Sequence, residues 1–318
     1  MKAILAILIV ILLLLPHWLN PYWVHILIYS LWFVYLCSAW NIVGGFAGQF
    51  AFAHSVFIGI GAYTSTVLYL HLNLSPWVGI FPGALLAVLS GLFMAWLSFR
   101  YDLPHLSFAL ITLAFAYIAM FLVSTIEAVG AEAGIHIPPR GNSWLDFQFT
   151  GKLPYYYIIL AMTLGVIFLS WLIQKRKMGL YFMAIRDNEQ AAAAVGINLL
   201  GTKMMAMAIS ALLCALAGTF WAQYTLFIEP ASTFGPLVVI QMILFTAIGG
   251  IGTLWGPVVV PLILTPFGEI LRAKLGTQYA GINMIVYGTF VVIVILFMPH
   301  GIVKWFAGRK RERPKERR

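Results

Sequence analysis

Residues 178–198 read MGLYFMAIRDNEQAAAAVGIN, and within them Arg186, Asp187, Asn188, Glu189 and Gln190 stand in a row. That polar island sits in a chain of 318 residues that is 62% hydrophobic and only 9% charged, with apolar runs on both sides of it. If the flanking runs are the cores of soluble domains, the island is a surface loop. If they are membrane spans, it is the part of the molecule that reaches water. Composition decides between these. A mean hydropathy of +0.94 leaves too little polar surface to cover a globule in water. A bilayer span takes about 20 apolar residues, so ten spans use roughly 200 and leave short loops. The expected fold is all-α, a polytopic transmembrane protein of about ten spans.

Hydropathy places those spans near 3–18, 24–43, 50–70, 77–99, 105–127, 154–173, 203–224, 236–252, 257–272 and 282–298. Gly59, Gly61, Pro261 and Pro266 inside them are compatible with transmembrane helices, where neighbouring helices satisfy freed backbone groups. Lys2 and the run 3–15 look like the start of a signal peptide. The PHWLNPYW that follows offers no small-residue cleavage site, so an uncleaved first span is the expectation. With ten spans and both termini cytoplasmic, 15 of the 19 Lys and Arg residues lie inside, and Arg140, Lys152, Arg272 and Lys274 lie outside. Segment 174–203 is then cytoplasmic and loop 128–153 external. The net charge of +9 is mostly this topology. The tail 308–318, GRKRERPKERR, follows the transmembrane domain 1–307 and is expected to be disordered and to meet anionic lipid, not nucleic acid.

Within the island, Phe182 and Ile185 are three apart, and Ala192, Ala193 and Gly196 extend a small-residue face along one expected helix ended by Gly196. Consecutive alanines form helix without bulk, so a partner surface can approach closely. Two readings fit: a helix that transmits force from a soluble protein, or an amphipathic loop helix lying on the membrane. Glu269 is read as pairing with Arg272 one turn on.

Polar groups in spans are costly, so the exceptions carry information. Asn41, Gln49, His54, Ser55 and Thr64 gather around GGFAGQ (44–49), and Gln241, Thr246 and Thr253 lie near GGIGTLWGP (249–257). These are the candidates for a translocation path. One reading of 41–55 is a broken element with a helix N-terminus beginning near Gln49, its amides offered to a carboxylate. The other is a tight interspan turn whose glycines allow close packing. Cys37 and Cys214 fall in apolar runs and suggest packing. Seven histidines without paired spacing give no metal site and no convergent acid–base set, so no enzyme is expected.

Several motifs together resemble one family. GLYFMAIRDNEQAAAAVGIN (179–198) is similar to the cytoplasmic coupling segment of branched-chain amino acid ABC-transporter permeases of the LivM type. WNIVGGFAGQFAFAHSVFIGIGAYT (40–64), SFALITLAFA (107–116), AIGGIGTLWGPVVV (247–260) and LFMPHGI (296–302) resemble that family's other motifs, in its order. Ala191, Ala192 and Gly196 are also similar to the wider importer EAA…G pattern, although Gln190 stands where its Glu would be. Loop residues 129–139, VGAEAGIHIPP, depart from the family: the usual Thr is missing and Glu132 is added. The resemblance implies the ABC-importer permease fold and a permease subunit that binds no cofactor, with ATP hydrolysed by partners. Those partners would be two cytoplasmic ATPase subunits, a second homologous permease, an external solute-binding protein and membrane lipids. It implies that Phe182, Ile185, Arg186, Asp187, Asn188, Glu189, Ala191, Ala192 and Gly196 couple to the ATPase. The cargo would be a branched-chain or other apolar amino acid, with urea or amides as the alternative. GINLLGTK (196–203) is the nearest approach to a phosphate-binding loop, but Thr202 precedes Lys203 where the order should be reversed. An ion-coupled transporter would need mid-span carboxylates, which the sequence does not place there.

The orientation gives a direct expectation. A cysteine at Gln190 should react with a membrane-impermeant maleimide only from the cytoplasmic face of sealed vesicles; reaction from the other face would invert the topology.

Overall fold

The computed structural model describes residues 12–101 and 105–275, together with 288, 289 and 292. Among these, eight helices are long and apolar enough to cross a membrane. The expected span 282–298, and most of 3–18, lie outside the described residues.

Local sequence sets the helix starts. Helix α1 (Pro21–Asn41) opens with proline at its first position and Asn20 as cap, the Asn20 side chain accepting from the Trp23 amide at 3.1 Å. It runs on through a wide turn at Ile42–Phe46. Helix α2 is His54–Leu72, and α3 (Pro76–Arg100) repeats the proline start with Ser75 as cap. Helices α4 (His105–Thr125) and α5 (Lys152–Lys175) follow. Next come the short α6 (Lys177–Asp187) and α7 (Glu189–Ala194), then α8 (Leu199–Thr225), four residues longer at its start than hydropathy gave because Asn198 caps it. Helices α9 (Pro230–Thr233) and α10 (Pro236–Gly249) make one crossing, and α11 (Gly256–Leu275) the last.

Helix α1 is the axis: 89% of its central window is buried, against 22% in α4, which has the least support of the eight. Helices α2, α3 and α8 form the tightest unit, and glycine makes it so. A β-carbon on Gly218 would stand 2.0 Å from the Ile58 carbonyl oxygen, and one on Gly61 would stand 2.1 Å from the Ala215 oxygen. Backbones this close need small residues at the crossing. Thr219 uses the approach to donate to the Gly61 carbonyl at 3.0 Å. One buried polar chain ties the helices together: His54 Nε2 meets Ser210 Oγ at 2.8 Å, and Ser210 in turn donates to the Ala39 carbonyl at 2.8 Å, linking α2, α8 and α1.

At the end of the bundle opposite α6 and α7, strand β1 (Ile135–His136) pairs antiparallel with β2 (Phe227–Ile228), which holds loop 127–151 across the mouth. Trp77 stacks on Phe147 at 4.3 Å and donates to the Trp144 carbonyl at 2.7 Å. The expected intrahelical pair of Glu269 with Arg272 is present at 3.9 Å.

Two expectations are corrected. The segment 178–198 is not one helix: Asn188 is extended (φ −162°, ψ 109°) and its side chain caps α7 by accepting from the Ala191 amide at 2.9 Å. No helix begins at Gln49 either, since residues 47–53 form a turn and α2 starts at His54.

Gly218→Val should force α2 and α8 apart and destabilise the purified protein by about 1–3 kcal/mol. Gly165→Val, where a β-carbon meets nothing within 4 Å, should be neutral in the same thermal unfolding assay.

Candidate functional site

The polar island and two glycine-rich turns come together at one end of the bundle. Phe182, Ile185 and Ala192 are buried and hold α6 and α7 against the rest of the chain. Arg186, Asp187, Asn188, Ala191 and Gly196 are exposed. Gly196 ends α7 with φ +86°, and the Ile197 amide donates back to Ala192 at 3.1 Å, a glycine-dependent helix stop. Beside it Val195 is 78% exposed, and with Ala191, Ala193 and Ala194 it makes a bare apolar surface free of bulky groups.

Arg186 is the hub. Its side chain lies over Gly48, where a β-carbon would come 2.7 Å from Arg186 Cγ, and against Gly252, where one would come 2.6 Å from Nη1. Both glycines have positive φ (+72° and +76°), so these turns exclude side chains for conformational and steric reasons alike. Arg186 Nη1 donates to the Gly45 carbonyl at 3.3 Å, while Nε and Nη2 donate to Asp187 Oδ1, each at 3.1 Å.

Glu189 is the second junction. Its Oε1 accepts from Gln49 Nε2 at 3.0 Å and its Oε2 from Lys203 Nζ at 2.6 Å. The Lys203 side chain is only 11% exposed, so this ion pair is shielded from water and removal of either partner would leave a poorly solvated charge. Lys203 Nζ also lies 5.0 Å from the Phe99 ring centroid. Asn41 closes the assembly: its amide donates to the Thr253 carbonyl at 2.9 Å, and its Oδ1 accepts from the Gly252 amide at 2.9 Å.

The polar residues read as path candidates therefore divide. Asn41, Gln49 and Thr253 belong to this junction at the bundle end. His54 and Ser55 are buried just beyond it at the start of α2. Thr64 and Gln241 are half-buried on α2 and α10, and Thr246 donates to the Met242 carbonyl of its own helix at 2.8 Å. No hydrogen bond joins these last three among the described residues. The sequence marked the glycine-rich stretches 44–49 and 249–257 and met Lys203 only in a failed phosphate-loop pattern. It gave no sign that Gly45, Gly48, Gly252 and Lys203 join this junction, because their partners lie as far as 211 positions away. Among the described residues no three His, Cys, Asp or Glu side chains gather as a metal site would require.

A family model described as "Branched-chain amino acid transport system / permease component" matches residues 22–298. The chain is 24% identical over 287 residues to the high-affinity branched-chain amino acid transport system permease protein LivM of Escherichia coli (strain K12), covering 83% of this chain and 65% of that protein. It thus spans about two thirds of the LivM length. It is 25% identical over 283 residues to the LivH permease protein of Salmonella typhimurium, covering 84% of this chain and 90% of that one. Over 165 residues it is 26% identical to the autoinducer 2 import system permease protein LsrC of Klebsiella pneumoniae, covering 47% of each. No solved structure matches.

A double-mutant cycle tests the second junction. Gln49→Ala and Glu189→Ala, alone and together, should show a coupling of about 0.5–3 kcal/mol in the unfolding free energy of the purified chain. Strict additivity would mean that the two side chains do not interact.

Proposed function

We propose that the chain, which belongs to the branched-chain amino acid transport system / permease component family, is the membrane-spanning subunit of an ATP-driven importer. The cargo is a branched-chain or other apolar amino acid. Two cytoplasmic ATPase subunits burn the ATP, a second homologous permease completes the membrane part, and an external solute-binding protein delivers the cargo. The chain itself binds no cofactor and catalyses no reaction. The protein is a multi-pass membrane protein, and in this reading it lies in the cytoplasmic membrane with both termini and α6–α7 inside.

The observation that carries the reading is the junction at Arg186. A bare apolar surface at 191–195 is mounted on two short helices whose polar side chains grip the turns 44–49 and 250–253. A partner that pulls on the surface therefore moves the ends of α1, α2, α8 and α10 together. Moving a two-state equilibrium from 1:99 to 99:1 takes about 5.5 kcal/mol of differential binding, which an ATP-driven partner can supply. An ion-coupled carrier is disfavoured because Glu269 is the one carboxylate in the described spans, and it sits beside Arg272. Urea or an amide is the alternative cargo within the same mechanism.

Arg186→Glu in the complete transporter should lower ATP-dependent uptake of labelled leucine by roughly tenfold or more, in the range of coupling free energies, with ATP hydrolysis and membrane insertion retained. Unchanged coupling would remove the junction from the mechanism. Accumulation by vesicles that hold no ATPase partner would remove the importer reading itself. Uptake of labelled urea in place of leucine would reassign the cargo alone.

A further inference from the structure

Helices α3 and α8 run antiparallel in close contact, with Gly91 of α3 set against Ala211 of α8. Where they part, at the end of the bundle that carries α6 and α7, they leave an open pocket of ≈ 200 Å³ lined by Phe99, Arg100, Leu199, Leu200 and Lys203. That space holds several water molecules' worth of volume, or one tetrahedral anion. Two cations converge on it. Lys203 is held on one side by Glu189, but Arg100 is exposed and makes no ion pair among the described residues. The pocket also lies at the positive end of α8, a helix of 27 residues.

The surface leading to the pocket is apolar. Leu85, Leu89, Phe93 and Trp96 are all exposed on α3, spaced four, four and three residues apart, and Arg100 follows four residues later on the same helix face. A charged mouth at the end of a spanning helix, continued by a bare apolar stripe along it, has the two-part chemistry of a phospholipid: an anionic phosphate and an acyl chain.

We propose that this pocket binds the phosphate of an anionic phospholipid, with Arg100 and Lys203 on the headgroup and an acyl chain along Leu85–Trp96. Arginine suits the role because its planar fork holds two phosphate oxygens at once. Lys203 is shared with Glu189, so an occupied pocket bears on the same ammonium that anchors α7. The site depends on the chain being embedded in a membrane and not on what it transports, so its failure and that of the importer reading are separate outcomes.

The test is native mass spectrometry of the full-length chain in neutral detergent, with phosphatidylglycerol or phosphatidylcholine added. Each basic residue near a headgroup contributes about fivefold in affinity. Phosphatidylglycerol should be retained at least about fivefold better than phosphatidylcholine, and Arg100→Gln should reduce that preference about fivefold. Arg176→Gln, a basic residue outside the pocket, should leave the preference in place. In the unaltered chain, a diazirine-bearing phosphatidylglycerol should label peptides spanning 96–101 and 199–203. Equal retention of the two lipids would leave the pocket to an acidic side chain of a partner protein and overturn the proposal. Labelling confined to other helices, or a preference untouched by Arg100→Gln, would overturn it as well. Displacement of phosphatidylglycerol by millimolar inorganic phosphate would replace the lipid with a soluble anion.

Discussion

Arg186 can reach the backbone of two turns at once only because both turns lack side chains where it lies. That single packing requirement explains why Gly48 and Gly252, 204 positions apart in the sequence, occupy the same small volume. It also explains why a long cationic side chain in so apolar a protein points back at the bundle. With its side chain 35% exposed, its strength as an ion pair is modest. Its value is geometric: the aliphatic stem fills the space over Gly48 while the guanidinium finds Gly45 and Asp187.

The hydrogen bonds around it turn three separate turns into one block. Asn41 fixes the end of α1 to the α10–α11 turn through two bonds of 2.9 Å. Gln49 and Lys203 fix the 47–53 turn and the start of α8 to the same carboxylate, Glu189. The bonds of Gln49 and Lys203 to the Glu189 carboxylate are charge-assisted, hence short and directional, and resist sliding more than an apolar contact would. In the proposed mechanism, force applied to α7 would thus pass into this block.

The eight described spans were legible because each is long and apolar, and several are punctuated by Pro, Asn or Ser at the start, as with Asn20–Pro21 and Ser75–Pro76. The small-residue approach of α2 to α8 was not, since Gly61 and Gly218 look like any span glycines until the two helices meet. At 188 the local signals conflicted. Four alanines favour a continuous helix, yet Asn followed by Glu is also a sound helix start, and the capping bond to Ala191 won. Gln49 illustrates a different limit. Its rarity in an apolar setting marked it as important, but rarity carries no direction, and its partner lies 140 residues away at the bundle end. Asn41, Gln49 and Thr253 gather at the junction for the physical reason that a chain this apolar can keep polar side chains most cheaply where they satisfy one another beside water, whereas Thr64, Gln241 and Thr246 stay apart from it.

Helix α4 completes the mechanical picture. It has the smallest buried fraction of the eight spans, so displacing it costs the least apolar contact. Among the described residues one hydrogen bond connects it to the block: the Phe52 amide, in the 47–53 turn, donates to Thr112 Oγ1 at 2.9 Å, and Thr112 donates in turn to the Ala109 carbonyl of α4 at 2.9 Å. The close-packed trio α2, α3 and α8 cannot yield without separating backbones that already touch, as Gly218 against Ile58 requires. In the proposed coupling, a movement of α6 and α7 would reach a stiff core through Lys203 and a compliant span through Phe52 at the same moment. In the proposed mechanism, such a difference in stiffness would convert one pull into relative motion of the spans.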